Sequence, residues 1–499
     1  MAANPNSSPT VLEMIVRQDA STALVEPHRG QRLSYSELHE AISDCAGRLA
    51  FLGVSEGDRV ALSFPNSIAF LITFLAVVEL GAAAAPLNGA LGEREVTEEL
   101  SDLVATRLLH APENGDAANA ARGLGVPTNV VTAVGNQLEI EHASGLSVVG
   151  RSDPDSIALL LHTSGTTSRP KTVPIRQRNL SASTATIVAT YGLKDTDVTY
   201  CVMPLFHVHG LVAATLGTLA SGGSIVIPPR FSASGFWKDV LSTGTTWYTA
   251  VPTIHSLVLN KAVEMDATPA HGLRFVRSCS APLAAPEWQR YEDRISVPLV
   301  EAYGMTEASH QMSSNLLPPK DRRPGTVGVA TGIEIALLDD DWNEVRVGER
   351  GEVSVRGTSI VDGYLNNAEA NEANFKNGWF RTGDVGTMSE DGYLTLVGRT
   401  KELINRAGEK VSPYEVEAVL LGHPAVSEAA VYPIPHPIYG ETVGAVVVLR
   451  SEVTPADLVA YCSATLASFK VPTAIAVLPE IPKGPTGKVQ RRNLADLVS

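Results

Sequence analysis

The chain has 499 residues, more than one hydrophobic core usually supports, so we expect about two to four domains. Hydrophobic residues make up 44% of the chain and charged residues 19%, the balance of an ordinary globular protein. The formal net charge of -15 argues against a nucleic-acid partner and against an acidic membrane surface, because both would repel the chain.

The chain begins with the polar stretch MAANPNSSPT, which lacks the basic and apolar regions of a secretory signal. It ends in DLVS, which is not a peroxisomal targeting signal. The four cysteines are scattered, and their spacing is not that of a zinc site. Because free thiols of this kind are typical of a reducing compartment, we expect a cytoplasmic protein.

Predicted strands and helices alternate up to about residue 230. The segment SYSELHEAISDCAGRLAFLG predicts an amphipathic helix that starts at a serine and stops at a glycine. The most apolar run, 68–87, is interrupted by Glu79, Gly81 and Pro86, so it predicts a buried helix and a buried strand rather than a membrane span. The strands are predicted in RVALSF, SIALLL, TYCVMPL and SIVIPP. This alternation predicts an α/β fold with parallel sheets covered by helices.

The pattern changes between about residue 325 and residue 398. Short strands in IEIALLD, GEVSVRG and GYLTLVGR are separated by Gly and Asp turns, which predicts a small antiparallel, β-barrel-like subdomain. After Arg399 a new unit begins, with a helix, strands and a loop rich in Pro, Gly and Lys. We therefore predict a large N-terminal domain, 1–398, and a small α+β C-terminal domain, 399–499.

A loop rich in hydroxyl groups follows the predicted strand SIALLL. It places five hydroxyl side chains around one glycine and ends in basic residues: Thr163, Ser164, Gly165, Thr166, Thr167, Ser168, Arg169 and Lys171. The carboxyl end of a parallel strand exposes backbone N–H groups, and hydroxyls and lysine add further donors for anionic oxygens. The spacing is not that of a Walker loop. Taken alone, the stretch leaves a phosphate-binding loop and a polar surface turn open.

Four later segments favour the phosphate-binding loop when they are taken in order. They are EAYGMTEASH at 301–310, RTGDVG around Asp384, VGRTKELINRAGEKVSPYEVE with Arg399, and PKGPTGKVQRR around Lys488. Together with the loop, this set resembles the adenylate-forming superfamily of acyl-CoA synthetases, luciferases and peptide-synthetase adenylation domains. The resemblance implies ATP and coenzyme A as co-substrates, Mg²⁺ as the metal ion, an acyl-adenylate intermediate and a thioester product.

The resemblance also implies roles for individual residues. Glu307 would hold Mg²⁺, which suits carboxylate oxygen, and Thr306 would donate to a phosphate oxygen. Tyr303 would stack on adenine, Asp384 would accept from the ribose hydroxyls, and Lys488 would bridge the acid and the α-phosphate. The alternatives for these last three are a core aromatic, a turn residue and a solvated loop lysine, and without the resemblance the solvated lysine would be the preferred interpretation of Lys488. The implied ATP-binding set is Thr163, Ser164, Gly165, Thr166, Thr167, Lys171, Ser280, Ala281, Pro282, Glu301, Ala302, Tyr303, Gly304, Thr306, Asp384, Arg399 and Lys488; the implied catalytic set is Lys488, Glu307, Thr306 and His207.

The small C-terminal domain would act as a mobile lid, again by resemblance. Lys401 would be the hinge, and Arg406 and Gly408 would border the coenzyme A tunnel. Relatives usually carry Gly-Gly in this turn, whereas the chain has Ala407-Gly408. This departure makes adenylation better supported than thioester formation.

Polar residues at the implied acyl pocket indicate a small acid with a second carboxylate. His207, Ser280 and His310 would bind the substrate, because polar donors suit a buried anion, whereas His209 is interpreted as structural. The segments PLFHVHGL, TWYTAVPTIH, RFVRSCSAPLA and MTEASHQMSSN resemble oxalate–CoA ligases of plants and fungi, so we predict oxalate. Malonyl-CoA synthetases share SAPL and RRPGTVG, so malonate is the alternative.

Two other classes of function stay open. A luciferase-like monooxygenase would oxidise its adenylate, but no oxygen-activating signature is recognisable. A non-catalytic binding protein would have lost Lys488 or Glu307, and the chain keeps both. The predicted partners are therefore small molecules, without nucleic acid or membrane, and we expect a monomer or a weak homodimer.

Overall fold

A computed structural model describes residues 8–150, 152–163, 171–265, 270–484, 489, 491 and 494–497. Five residues of the implied site lie outside the described residues: Ser164, Gly165, Thr166, Thr167 and Lys488. All elements below are numbered in chain order.

The strands are β1 (Thr22–Glu26), β2 (Gln31–Ser34), β3 (Arg59–Ser63), β4 (Ala83–Pro86), β5 (Arg107–His110), β6 (Thr128–Val134), β7 (Gln137–Ile140), β8 (Ile157–Thr163), β9 (Lys171–Arg176), β10 (Val198–Tyr200), β11 (Ser224–Val226), β12 (Trp247–Ala250), β13 (Phe275–Ser278), β14 (Leu299–Met305), β15 (His310–Ser314), β16 (Val329–Ala330), β17 (Glu334–Leu338), β18 (Gly351–Arg356), β19 (Phe375–Lys376), β20 (Trp379–Met388), β21 (Leu394–Arg399), β22 (Ile404–Arg406), β23 (Glu409–Val411), β24 (Val426–His436), β25 (Gly440–Leu449) and β26 (Ala474–Val477).

The α-helices are α1 (Tyr35–Phe51), α2 (Ile68–Glu79), α3 (Glu93–Leu103), α4 (Gly115–Gly123), α5 (Gln177–Tyr191), α6 (Gly217–Ala220), α7 (Ala233–Thr243), α8 (Pro252–Glu264), α9 (Ala285–Ile295), α10 (Ala368–Asn374), α11 (Pro413–Leu421), α12 (Pro455–Ser463) and α13 (Leu494–Leu497). A π-helical segment, His209–Leu216, runs directly into α6.

Helix α1 shows how local sequence sets the end of an element. The Ser34 hydroxyl accepts from the backbone N–H of Glu37 at 3.3 Å, and the Glu37 carboxylate accepts from the backbone N–H of Ser34 at 2.8 Å. This capping box satisfies two N–H groups that the first turn leaves without partners. Leu38, Ile42 and Leu49 recur at helical spacing and are buried in the core. The predicted amphipathic helix is confirmed.

Two large sheets form the N-terminal part of the chain. The first has the strand order β7-β6-β5-β3-β4-β8-β9 and is parallel from β6 to β8. The second has the order β16-β15-β14-β13-β12-β10-β11-β1-β2 and is parallel from β14 to β1. The four strands predicted from the sequence correspond to β3, β8, β10 and β11, so the predicted parallel sheets are confirmed.

The apolar run at 68–87 forms α2 followed by β4, as predicted. Every residue of α2 except Glu79 is buried, because the helix packs inside the core that the first sheet shares with its neighbours. Across the residues described by the structure, no helix combines the length and the apolar character needed to span a bilayer.

The third and fourth sheets are smaller. The third contains β17, β18, β19, β20 and β21, which pair antiparallel and form an open sheet among the described residues. It ends at Arg399, and the fourth sheet begins at Ile404 and contains β22 to β26. The fourth sheet and its helices have a hydrophobic cluster of their own, which includes Val416, Val431 and Leu458.

Candidate active site

Three neighbouring strands of the second sheet, β12, β13 and β14, run parallel and end at the same edge. Ligands of open α/β sheets bind at the carboxyl ends of such strands. Ser280 follows β13 by two residues, and Tyr303 lies near the end of β14. Strand β15 then runs back along β14, with His310 opposite Met305. The predicted substrate and nucleotide residues of these segments therefore meet at one sheet edge.

The backbone at this edge adopts conformations that side chains other than glycine rarely take. Ser280, Ser309 and His310 have φ values of 72°, 55° and 123°. Backbone of this kind concentrates at functional sites, because surrounding contacts must hold it in place. Gly304 permits the close approach of β14 and β15, since a Cβ atom there would lie 1.6 Å from the carbonyl oxygen of His310. The edge is therefore shaped by the main chain as well as by side chains.

His209 lies at the centre of the part of this edge that was predicted to bind the acid, between Ser280 and His310. Its Nδ1 lies 3.0 Å from Ser280 Oγ and its Nε2 lies 2.6 Å from Thr249 Oγ1. Its ring stacks on that of His310, with 5.1 Å between ring centroids and 26° between the planes. Burial, and then the nearby His310 and Arg277, lower the pKa of His209 well below its ordinary value. The ring is therefore neutral near pH 7.

The predicted substrate residues Ser280 and His310 thus come together, with His209 between them. The sequence interpretation had treated His209 as structural, whereas the structure adds it to this polar cluster. His207 is half-buried, and its Nδ1 accepts from the backbone N–H of His209 at 3.4 Å. Its role at the substrate stays a prediction.

Asp384 organises the part of the site that was predicted to hold ribose. Asp384 and Arg399 are opposite each other on β20 and β21, and Arg399 Nε donates to Asp384 Oδ1 at 3.2 Å. The Tyr303 hydroxyl donates to Asp384 Oδ2 at 2.5 Å. The Asp384 carboxylate raises the pKa of Arg399 above its ordinary value, whereas burial raises the pKa of Tyr303. Three predicted nucleotide residues therefore form one hydrogen-bonded group.

Glu307 lies in a second charged group beside the first. The Tyr364 hydroxyl donates to Glu307 Oε1 at 2.9 Å, and Lys171 Nζ lies 4.4 Å from the centroid of the Tyr364 ring. Burial raises the pKa of Glu307, although Tyr364, Arg399 and Lys171 each act to lower it. Burial also lowers the pKa of Lys171, with Glu307 acting in the opposite direction. The start of β9 and the turn after β14 are therefore brought together.

This donor set fits a magnesium ion that arrives with a nucleotide. Mg²⁺ usually takes one or two carboxylates from the protein and completes its shell with phosphate oxygens and water. Glu307 is a buried carboxylate of this kind. Within the described part of the chain, no group of three or more His, Cys, Asp or Glu side chains is placed to hold a metal ion.

The remaining predicted nucleotide residues occupy the same region. Thr163 and Lys171 are paired across β8 and β9, on either side of the predicted phosphate loop. Thr306 is buried in the turn after β14. Glu301 points toward the loop after β13, where its Oε1 accepts from the backbone N–H of Leu283 at 3.0 Å. Of the other three residues, Ala281 is half-buried, Pro282 is exposed and Ala302 is buried.

The predicted coenzyme A residues lie in the turn between β22 and β23. Arg406 Nη1 donates to the carbonyl oxygens of Ser468 at 3.2 Å and Phe469 at 2.7 Å, so this guanidinium braces its own domain. Ala407 and Gly408 have φ values of 53° and 96°, the left-handed backbone of a tight hairpin turn. Lys401 is exposed between the third and fourth sheets. Its role as a hinge and the coenzyme A contacts stay predictions.

Three residues of the site were not predicted from the sequence: Thr249, Arg277 and Tyr364. Arg277 alone gave a signal, because it is a basic residue inside the otherwise apolar stretch RFVRS. It is fully buried on β13. The others are ordinary polar residues whose neighbours lie far away in the sequence, so no local pattern could have selected them.

Comparisons with known proteins identify the family of the chain. The family model of the AMP-binding enzyme matches residues 13–365, and that of the AMP-binding enzyme C-terminal domain matches residues 415–488. An oxalate–CoA ligase of Arabidopsis thaliana is 46% identical over 477 residues, which cover 93% of this chain and 93% of the relative. An oxalate–CoA ligase of Saccharomyces cerevisiae is 36% identical over 515 residues, covering 95% and 94%. The crystal structure of ATP-bound MatB from Rhodopseudomonas palustris is 29% identical with a TM-score of 0.90, covering 98% and 99%.

Proposed function

The chain belongs to the AMP-binding enzyme family and is an AMP-forming acid–CoA ligase, and we propose that oxalate is the acid it activates. In the first step, a carboxylate oxygen of the acid attacks the α-phosphorus of ATP, and diphosphate leaves. In the second step, the thiol of coenzyme A attacks the acyl carbon of the adenylate, and AMP leaves. Phosphoryl transfer of this kind depends on positioning and charge stabilisation.

The observation that carries the choice of oxalate is the polar cluster of Ser280, His209 and His310. Both carboxylates of oxalate are ionised at neutral pH, so the one that does not react must enter the pocket with hydrogen-bond donors. Hydroxyl and imidazole groups supply such donors. An apolar acid would bury a donor such as the Ser280 hydroxyl hydrogen without an acceptor, at a cost of about 1–3 kcal/mol.

The nucleotide half of the site supports the first step. In the proposed complex, Asp384 accepts from the ribose hydroxyls with Arg399 beside it, and Tyr303 lies against adenine. Glu307 would hold the Mg²⁺ that accompanies ATP, which would supply positive charge beside the phosphates. Lys171 adds a positive charge at the phosphate loop. The hydrogen bonds among Asp384, Arg399 and Tyr303 support this arrangement, because they fix the carboxylate before the nucleotide binds.

The direct test is a panel of acids scored for AMP release with ATP, coenzyme A and Mg²⁺. The panel contains oxalate, malonate, glyoxylate, acetate, a medium-chain fatty acid and coumarate. We expect the highest kcat/KM for oxalate, with malonate lower because it is longer. A higher value for the fatty acid or for coumarate contradicts the assignment of the pocket to oxalate, and only the general assignment as an acid–CoA ligase then remains. Oxygen uptake in the same reactions identifies a luciferase-like monooxygenase, and the absence of AMP release with every acid favours a binding protein.

We also propose that the C-terminal domain is the mobile lid and alternates between the two steps. A cavity between α8, α9 and the C-terminal sheet is lined by charged residues that include Glu287, Arg290, Glu428 and Arg450. Interfaces of this polar kind favour domain motion. Lys488→Ala should abolish adenylate formation but leave thiolysis of a supplied acyl-adenylate intact. Equal loss in both half-reactions contradicts the alternation.

The compartment and the oligomeric state complete the proposal. We place the enzyme in the cytoplasm, as a monomer or a weak homodimer with small molecules as its partners. All four cysteines are buried and free, which agrees with a reducing compartment. Sedimentation across a range of protein concentrations measures the oligomeric state, and fractionation of the native cells measures the compartment.

A further inference from the structure

Arg277 is a fully buried arginine that forms no ion pair with a carboxylate of the described residues. Its Nε donates to the Tyr191 hydroxyl at 2.8 Å, its Nη1 donates to Thr249 Oγ1 at 3.0 Å, and its Nη2 donates to Gln311 Oε1 at 3.2 Å. These three partners are neutral, and the Cys279 side chain is a further neighbour of the guanidinium. A guanidinium stays charged in proteins, so the fold buries a positive charge among neutral acceptors.

Such a charge is expensive to bury, because neutral hydrogen bonds replace only part of its hydration. Arg274, immediately before the same strand, shows the ordinary solution, since it pairs with Asp197 at 2.9 Å and stays partly exposed. Arg277 lacks this compensation. An anion bound close to it would supply the missing negative charge, and the polar cluster of Ser280, His209 and His310 is linked to it by hydrogen bonds.

Arg277 favours one direction for these hydrogen bonds, because it occupies one of the two lone pairs of Thr249 Oγ1. A guanidinium can only donate, so Thr249 Oγ1 must accept from it. The Thr249 hydroxyl hydrogen is then free to donate to Nε2 of His209 at 2.6 Å. A neutral imidazole that accepts at Nε2 carries its proton on Nδ1, which donates to Ser280 Oγ at 3.0 Å. Because Ser280 Oγ accepts from the ring, its own hydrogen can point into the pocket.

Without Arg277 the same groups would have no fixed direction. Thr249 could then accept from a proton on Nε2 of His209, and Nδ1 would accept from the Ser280 hydroxyl. The serine hydrogen would then point away from the substrate. A second contact of Arg277, to Gln311, holds the residue next to His310, so the arginine braces both sides of the pocket.

We propose that Arg277 is a positioning residue which, through Thr249 and His209, makes the Ser280 hydroxyl a donor to the carboxylate that does not react. Its buried charge also favours an acid with two negative charges over an acid with one. This inference rests on the proposed function, because it concerns the acid that the site selects. It adds Arg277 and Thr249 to the residues that determine specificity.

The test compares oxalate with glyoxylate, which replaces the second carboxylate by an aldehyde. Arg277→Met removes the donor, Arg277→Lys keeps a positive charge, Thr249→Val breaks the chain in its middle, and Thr249→Ser keeps the hydroxyl. We expect both Arg277→Met and Thr249→Val to lower the oxalate-to-glyoxylate ratio of kcat/KM at least about tenfold, with KM for ATP unchanged. We expect Thr249→Ser to retain the wild-type ratio and Arg277→Lys to recover part of it.

The double variant distinguishes a connected chain of hydrogen bonds from independent effects of Arg277 and Thr249. If Arg277 acts through Thr249, Arg277→Met combined with Thr249→Val loses no more than the worse single variant. The matched control is Thr199→Val, a buried threonine on β10 whose hydroxyl lies 2.5 Å from that of Thr218. It should leave the ratio unchanged. Losses that add in the double variant, or a wild-type ratio in Thr249→Val, overturn the proposal.

A readout without substrate makes this test independent of the choice of acid. Nitrogen-15 spectra of labelled histidine distinguish a proton on Nδ1 from one on Nε2 of His209. We expect Nδ1–H in the wild type and the opposite tautomer, or a mixture, in Thr249→Val. A proton on Nε2 of His209 in the wild type overturns the proposed chain of hydrogen bonds, even if oxalate is the substrate. If oxalate is not activated but the tautomer is as expected, the proposed acid fails while the hydrogen-bond chain stands. If Arg277→Met does not fold, the two Thr249 variants decide the outcome.

Discussion

Buried charge differs between the part of the site proposed to bind the nucleotide, around Asp384 and Glu307, and the part proposed to bind the acid, around His209; we call them the nucleotide half and the acyl half. In the nucleotide half, Asp384 pairs with Arg399 at 3.2 Å, and Glu307 lies near Lys171. In the acyl half, Arg277 is buried among neutral groups. Charges that are already paired hold their side chains in place whether or not a ligand is bound. A charge that is not paired makes the affinity depend on the charge of the ligand, which gives selectivity.

The largest effect should come from breaking the paired half at Glu307. Glu307→Ala removes the carboxylate that would hold Mg²⁺ and leaves Lys171 without its acidic neighbour. We expect kcat/KM for Mg²⁺-ATP to fall about 100-fold, with the fold retained. Titration of the rate with Mg²⁺ measures this, and Glu390→Ala, at an exposed position, is the control. An unchanged Mg²⁺ dependence removes Glu307 from the metal site.

A smaller effect should follow in the acyl half from His310→Ala. The change removes the ring that stacks on His209 and a donor for the distal carboxylate. We expect kcat/KM for oxalate to fall about tenfold, while discrimination against acetate and glyoxylate relaxes. KM for ATP should not change, because the nucleotide half is intact. A loss that is equal for all acids contradicts a role for His310 in selectivity.

Glu301 adds a third case to the comparison, because burial favours the protonated, uncharged form of its carboxyl. Burial raises its pKa from 4.5 to about 8, so the folded protein holds its proton more tightly than the unfolded chain. The contribution of Glu301 to stability is therefore complete below about pH 4.5 and is lost as the pH rises toward 8.

Glu301→Gln tests this neutral carboxyl. The amide oxygen can still accept from Leu283, and the side chain cannot ionise. We expect the melting temperatures of the variant and the wild type to agree near pH 5 and the variant to become the more stable one by about pH 8. Thermal denaturation across this range measures the difference. A constant difference between the two proteins contradicts a protonated Glu301 in the folded state.

The smallest effect is expected outside both halves, at Ala407. A non-glycine residue with φ near 53° is strained by about 1 kcal/mol. Glycine relieves this strain but raises the conformational entropy of the unfolded chain, which lowers stability by about 0.4–1 kcal/mol. Ala407→Gly should therefore raise stability by less than about 1 kcal/mol and leave oxalate selectivity unchanged. Ala418→Gly, at an exposed position in α11, should instead lower stability by about 1 kcal/mol.

Local patterns predicted the elements, whereas most candidate site residues came from the motifs that carry the family resemblance. The capped helix at α1 and the strands β3 and β8 follow from spacing and end signals within a few residues of each one. Ser280 and His310 were selected because they adjoin recognisable motifs. The interaction of His209 with Ser280 spans 71 residues of sequence, so only the arrangement of strands could show it. The same holds for Arg277, whose partners come from α5, β12 and β15.

The contact between Gly304 and the carbonyl oxygen of His310 has a consequence for redesigning the enzyme. No side chain fits at residue 304 without moving β15. The main chain therefore fixes the position of the His310 backbone, from which the ring extends. Variants meant to accept longer acids must therefore gain room by trimming side chains at positions 209, 280 and 310, while residue 304 stays glycine. A library that randomises residue 304 will return inactive proteins, whereas one built on those three positions samples new substrates on an unchanged backbone.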